Sequence, residues 1–228
     1  MLTSLTAPAF AKTWCIEDGN ITVKAGDTGN DVTQKGETTY GDTDTIITNQ
    51  NKDIASSNTV TIETNDKNDK VEVTLKDVNI NVGSDSGSAL TSNGDVTLTL
   101  KGDNSLTGGN GGSGISSNGS LTITGGENDS LTAKGGSGGS GIFGGTVNAT
   151  GGSSGSDSGD GIHSGSLTMK GGTVNAKGGS GADGGSGIRT FSSGGVTISG
   201  GSTVNATGGD ASDKDASAGG SGILIFGS

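Results

Sequence analysis

From about residue 70 onward, apolar residues arrive in short pulses, alternating with polar positions and separated by glycine-rich corners. The stretch 161–176 holds one full set: Ile162, then Leu167 and Met169, then Val174 and Ala176. The first pulse recurs as Ala89-Leu90, Gly114-Ile115, Gly141-Ile142, Gly161-Ile162, Gly187-Ile188 and Gly222-Ile223. The steps of roughly 20 to 35 residues are those of a solenoid, in which each unit buries its apolar face only against its neighbours.

The second pulse alternates with period two at Val71-Glu72-Val73-Thr74-Leu75, Val96-Thr97-Leu98-Thr99-Leu100, Leu121-Thr122-Ile123-Thr124, Leu167-Thr168-Met169-Lys170 and Val196-Thr197-Ile198-Ser199. The third does the same at Leu131-Thr132-Ala133, Val147-Asn148-Ala149, Val174-Asn175-Ala176 and Val204-Asn205-Ala206. Alternation of this kind marks strands with one face in and one out, and each pulse is too short for a helix. Three short strands per turn predict an all-β, single-domain parallel β-helix, right-handed by the usual rule for parallel crossovers. Ile162 should stack on Ile188, Leu167 on Val196 and Val174 on Val204. The coil that begins at Ile142 is short. Gly144-Gly145 runs straight into Thr146-Val147, so that coil should lack its second strand.

The ends break the pattern. Residues 1–11 close in Ala9-Phe10-Ala11 and read as the back half of a secretory signal. Residues 12–58 read as an irregular N-terminal cap, with strand-turn-strand over Trp14 to Val23 and weaker alternation around Thr45-Ile46-Ile47. An open coil end needs such cover, because it presents unpaired backbone and apolar side chains. Residues 59–228 form the β-helix, and Ile223 to Phe226 start a coil that a longer chain would continue. The lone Cys15 has no partner for an internal disulfide and reads as a packing residue.

Composition sharpens the picture in two places. The chain has 48 glycines and only 27% apolar residues, which suits a flexible linker, but a linker would not hold its apolar positions in fixed phase. The net charge of −11 excludes a nucleic-acid surface, which needs a basic stripe. No run approaches a transmembrane span.

Candidate chemistry lies on the outward faces and in the corner loops. Thr122, Thr168 and Thr197 form one expected polar row, and Asn148, Asn175 and Asn205 another. Such rows either stack for structure or meet a ligand whose hydroxyls recur along a line. Phe143 and Phe191 are the aromatic candidates for sugar stacking. Glu72, Lys170 and Ser199 interrupt the threonine array, which weakens an ice-binding reading. Long insertions before each Gly-Ile carry Asp157, Asp160, Asp183, Asp210 and Asp213. Carboxylates among Ser and Gly carbonyls suit Ca²⁺, although no fixed spacing is present, and solvated acidic loops are the plainer reading. His163 and Arg189 are the only residues of their kinds. His163 reads as an exposed corner residue. Arg189 is the base that polysaccharide lyase chemistry would need.

The unit Gly-Ile-x-Ser-x-Gly-x-Leu-Thr-Ile-x-Gly-Gly-x-Val-x-Ala, seen at 114–133 and 161–176, resembles secreted bacterial carbohydrate-binding β-helix proteins, pectate-lyase-like in fold. The resemblance implies a non-catalytic, secreted or cell-surface module that binds polysaccharide with calcium. The alternatives are a structural stalk or adhesin segment without a ligand site, and a lyase.

Overall fold

The computed structural model describes residues 11–66, 69–126, 129–141, 146–150, 159–164, 166–170, 173–191, 196–199, 203–212 and 219–226. Its strands stack in parallel into three walls. Wall one holds β2 (Ile21–Ala25), β6 (Val60–Glu63) and the first halves of β9 (Leu90–Lys101) and β11 (Ile115–Thr124). An isolated Gly141–Ile162 bridge then leads to β14 (Ile162–Ser164), β17 (Ile188–Phe191) and β20 (Ile223–Phe226). Wall two holds β1 (Thr13–Cys15), β5 (Ile46–Thr48), β7 (Lys70–Lys76), the second halves of β9 and β11, β15 (Ser166–Lys170) and β18 (Val196–Ser199). Wall three holds β8 (Asn79–Asn81), β10 (Asp103–Thr107), β12 (Ser130–Lys134), β13 (Thr146–Thr150), β16 (Thr173–Lys177) and β19 (Thr203–Thr207).

The fold is a parallel β-helix, in the register the apolar pulses require. Ile162 pairs with Ile188, Leu167 with Val196, and Val174 with Val204. A slip of one residue would turn every inward side chain to solvent, so the alternation itself fixes the register. The inward rows make one core. Leu90 and Ile115 fill it from wall one, Val73, Leu98 and Ile123 from wall two, and Ile80, Leu106 and Leu131 from wall three. Each such side chain contributes about 1.5–3 kcal/mol by leaving water.

β9 and β11 turn a corner without ending, at Gly94 and Gly119, which stack in register. Gly94 has φ +102°, and a Cβ there would overlap the Thr64 hydroxyl. Glycine is the residue that meets both conditions.

Wall two passes from β11 directly to β15, with Leu121 paired to Leu167. Wall three places β13 between the corresponding strands β12 and β16. The short coil therefore contributes no strand to wall two, as its Gly144-Gly145 shortcut implies.

The N-terminal segment joins the same walls. β1 opens wall two, a 3-10 turn at Ile16–Asp18 follows, and β2 opens wall one. The cap is an antiparallel meander: β3 (Asn30–Gln34) pairs with β2, and β4 (Glu37–Asp42) pairs with β3. It covers the edge of β2 that would otherwise present free N–H and C=O groups. Asp42, fully buried, ties it down by accepting from Trp14 Nε1 at 2.8 Å and from the Lys12 N–H at 3.1 Å. Among the described residues, no helix is long and apolar enough to cross a membrane.

Candidate functional site

Register converts the expected polar rows into two ladders. On wall two, Glu72, Thr97, Thr122, Thr168 and Thr197 stand one above the next. On wall three the row runs Asn79, Ser105, Thr132, Asn148, Asn175 and Asn205. The spacing is that of neighbouring strands, about 4.8 Å. Thr122 is half-buried, whereas Thr132, Thr197 and Asn205 are exposed. The side chains of Asn148, Thr168, Asn175 and Phe191 lie outside the described residues, as do Phe143, Asp157 and Asp213 entirely.

The wall-three ladder runs into a groove of about 320 Å³ lined by Lys52, Asn79, Asp103, Ser105, Ser130 and Thr132. Asn104 lies beneath, buried, and accepts the Val78 N–H through Oδ1 at 3.0 Å, which fixes the groove floor. The Ser130 hydroxyl donates to Asp103 at 2.7 Å, and Asn79 Nδ2 donates to the Lys52 carbonyl at 2.8 Å. Charge of both signs and hydroxyl groups thus share one shallow cleft. Lys52, Asn79, Ser105 and Ser130 were not singled out by the sequence pattern. Asn79 and Ser105 could have been, since they occupy the Thr132 position of earlier coils.

A second cluster grows from the residue that precedes each Gly-Ile. That slot holds Ser88, Ser113, Ser140, Asp160 and Ser186 in successive coils. Their side chains form a spine. Ser113 N–H donates to Ser88 Oγ at 3.1 Å, Ser140 N–H to Ser113 Oγ at 3.3 Å, Asp160 N–H to Ser140 Oγ at 3.0 Å, and Ser186 N–H to Asp160 Oδ1 at 2.7 Å. Serine spends its single oxygen on this bond. Aspartate has a second, and Asp160 Oδ2 faces His163 Nδ1 at 3.2 Å and Arg189 Nε at 3.1 Å. One departure from the repeat therefore gathers the only histidine and the only arginine of the chain, which are register partners on β14 and β17. Asp160 is 3% exposed, Arg189 31% and His163 43%. A buried carboxylate needs such partners, because leaving it alone in a low dielectric costs several kcal/mol, of order 3–5.

No family model, curated protein or solved structure matches the chain.

The acidic loops do not form a cation cage among the described residues. Asp160 meets nitrogen on both oxygens, so a cation would have to displace His163 and Arg189. Asp183 and Asp210 are exposed, on loops bridged through Gly181 and Ala211, and their carboxylates share no hydrogen-bonded site. No group of three His, Cys, Asp or Glu side chains is placed to hold a metal among the described residues.

Proposed function

We propose that this chain is an exported surface module that binds a polysaccharide along wall three. The observation that carries the reading is the register row Asn79, Ser105, Thr132, Asn148, Asn175 and Asn205, whose first three members line the Lys52–Thr132 groove. A glycan repeats its hydroxyl groups along a line, and amide and hydroxyl side chains both donate and accept. A ladder with one polar group about every 4.8 Å offers such a line of partners. Export rests on the Ala9-Phe10-Ala11 pattern.

Calorimetric titration with polygalacturonate and cellulose oligomers tests the reading, with calcium and with EDTA. Saturable binding in either condition is expected, weakened about tenfold or more by Thr132→Tyr, which fills the groove and removes a hydroxyl partner. Binding that survives in EDTA would assign recognition to the ladder alone. Absence of heat with every glycan, from a folded protein, would overturn the reading and leave a ligand-free scaffold. Release of unsaturated uronide, lost in Arg189→Ala, would instead make the chain a lyase.

A further inference from the structure

The wall-three ladder is closed at its N-terminal end. Past Thr132 the row runs on through the register positions Asn148, Asn175 and Asn205. In the other direction Asn79 meets the segment 49–56. Ser56 adds one rung to the wall: its N–H donates to the Asn79 carbonyl at 2.9 Å, and its carbonyl accepts the Asn81 N–H at 2.8 Å. That register sets Ala55 beside Asn79, and an alanine methyl continues no polar row. The turn before it folds back onto the ladder. Asn79 Nδ2 donates to the Lys52 carbonyl at 2.8 Å, so main chain stands at the foot of the row.

This stop is braced. Asn49 Oδ1 accepts the Asn79 N–H at 2.7 Å, while its Nδ2 donates to the Asn79 and Ile54 carbonyls, each at 3.2 Å. Within the turn, the Asp53 N–H donates to Asn51 Oδ1 and the Ile54 N–H to the Asn51 carbonyl, both at 3.1 Å. We propose that the Lys52–Thr132 groove takes the end of a glycan chain, not its middle. The inference rests on wall three being the glycan-binding face and specifies which part of the polymer that face reads.

A chain lying along the ladder would need an exit past Asn79, and the Lys52 turn occupies it. A terminal sugar also differs chemically from an internal one. It carries a free hydroxyl where the internal sugar has a glycosidic oxygen. A hydroxyl donates and accepts, whereas a glycosidic oxygen only accepts. The groove offers partners for both roles. The Lys52 ammonium is a donor whose ion partner Asp53 lies 3.8 Å away, both side chains being exposed, and such a pair holds it weakly in water. The Asp103 carboxylate accepts the Ser130 hydroxyl and keeps further acceptor sites, since an ionised carboxylate has about four.

The test counts protein molecules bound per glycan chain. The whole protein would be titrated calorimetrically, in EDTA and in calcium, with galacturonate oligomers and polygalacturonate of known mean length. Cellulose oligomers and hydroxyethyl cellulose form the neutral series. One protein per chain at every length is expected, with affinity per chain constant once the chain spans the ladder. Borohydride reduction, which opens only the reducing-end ring, identifies the end: lost binding names the reducing end, retained binding the other. Lys52→Ala keeps the backbone bond to Asn79 and should weaken binding about threefold or more. Saturable binding whose stoichiometry rises in proportion to chain length, or undiminished affinity in Lys52→Ala, would overturn chain-end recognition and leave wall three as a side-on binding face. Absence of heat in both series would instead remove the binding face itself, and this inference with it.

Discussion

Two adjacent glycines should respond to the same substitution in very different ways. Gly111 has φ +68° and open space where a Cβ would go. Gly112 has no positive φ, but its Cβ would overlap the Gly87 carbonyl of the preceding coil. Gly111→Ala meets only the left-handed penalty, about 1–2 kcal/mol, partly offset by a stiffer unfolded chain. Gly112→Ala must push two coils apart. The bonds at risk are Gly109 N–H to Gly87 O at 2.9 Å, Ser113 N–H to Ser88 Oγ at 3.1 Å, Ala89 N–H to Ser113 O at 3.0 Å, and Gly136 N–H to Gly112 O at 3.0 Å. At about 1 kcal/mol each, three or four lost bonds give about 3–4 kcal/mol. That is a large share of a stability of order 5–15 kcal/mol. Urea unfolding followed by circular dichroism would show it. The Gly112→Ala midpoint should fall by about 1 M or more, and the Gly111→Ala midpoint by less than half as much. Equal midpoints for the two variants would refute the claim that the coils touch backbone to backbone.

Two further outcomes follow from the N-terminal coil. Asp42→Asn should cost about 1–3 kcal/mol, because at least one of the donors now facing the carboxylate would meet an amide N–H₂. The single Trp14 reports it, and an unchanged melting temperature and fluorescence would contradict the anchor. Burial of the Cys15 thiol, with its 2.8 Å bond to Glu17, pushes the thiol above its ordinary pKa. Less thiolate is then present at any given pH, so iodoacetamide should alkylate Cys15 more slowly than a peptide cysteine, and Glu17→Gln should speed it. Equal rates for the folded chain and the peptide would count against this.

Register was legible in the sequence because period-two alternation leaves a strand no other phase. Leu121, Leu167 and Val196 could be aligned by eye, and so could the shortcut at Gly144-Gly145. The two kinds of glycine were not legible. Gly111 and Gly112 look alike as letters, and only the neighbouring coil distinguishes a left-handed turn from a contact without room for a Cβ. The spine was half visible. Asp160 stands where the other coils carry serine, and Gly161-Ile162-His163 aligns with Gly187-Ile188-Arg189. Read in isolation, His163 was a surface residue and Asp160 a candidate cation ligand. Their meeting appears only when the extra carboxylate oxygen is followed across two coils.

The missing layer in wall two is, in the language of crystals, an edge dislocation: a half-plane of strands present on wall three that terminates before it reaches wall two. The two walls therefore lose commensurability there. A periodic polymer lying on wall two would pass from Thr122 to Thr168 in one step. On wall three the same advance takes two steps, from Thr132 through Asn148 to Asn175. No ligand of fixed repeat can match both faces across that point. The solenoid thus gives its two ladders different rulers, and a long glycan gripped by one face is out of step with the other.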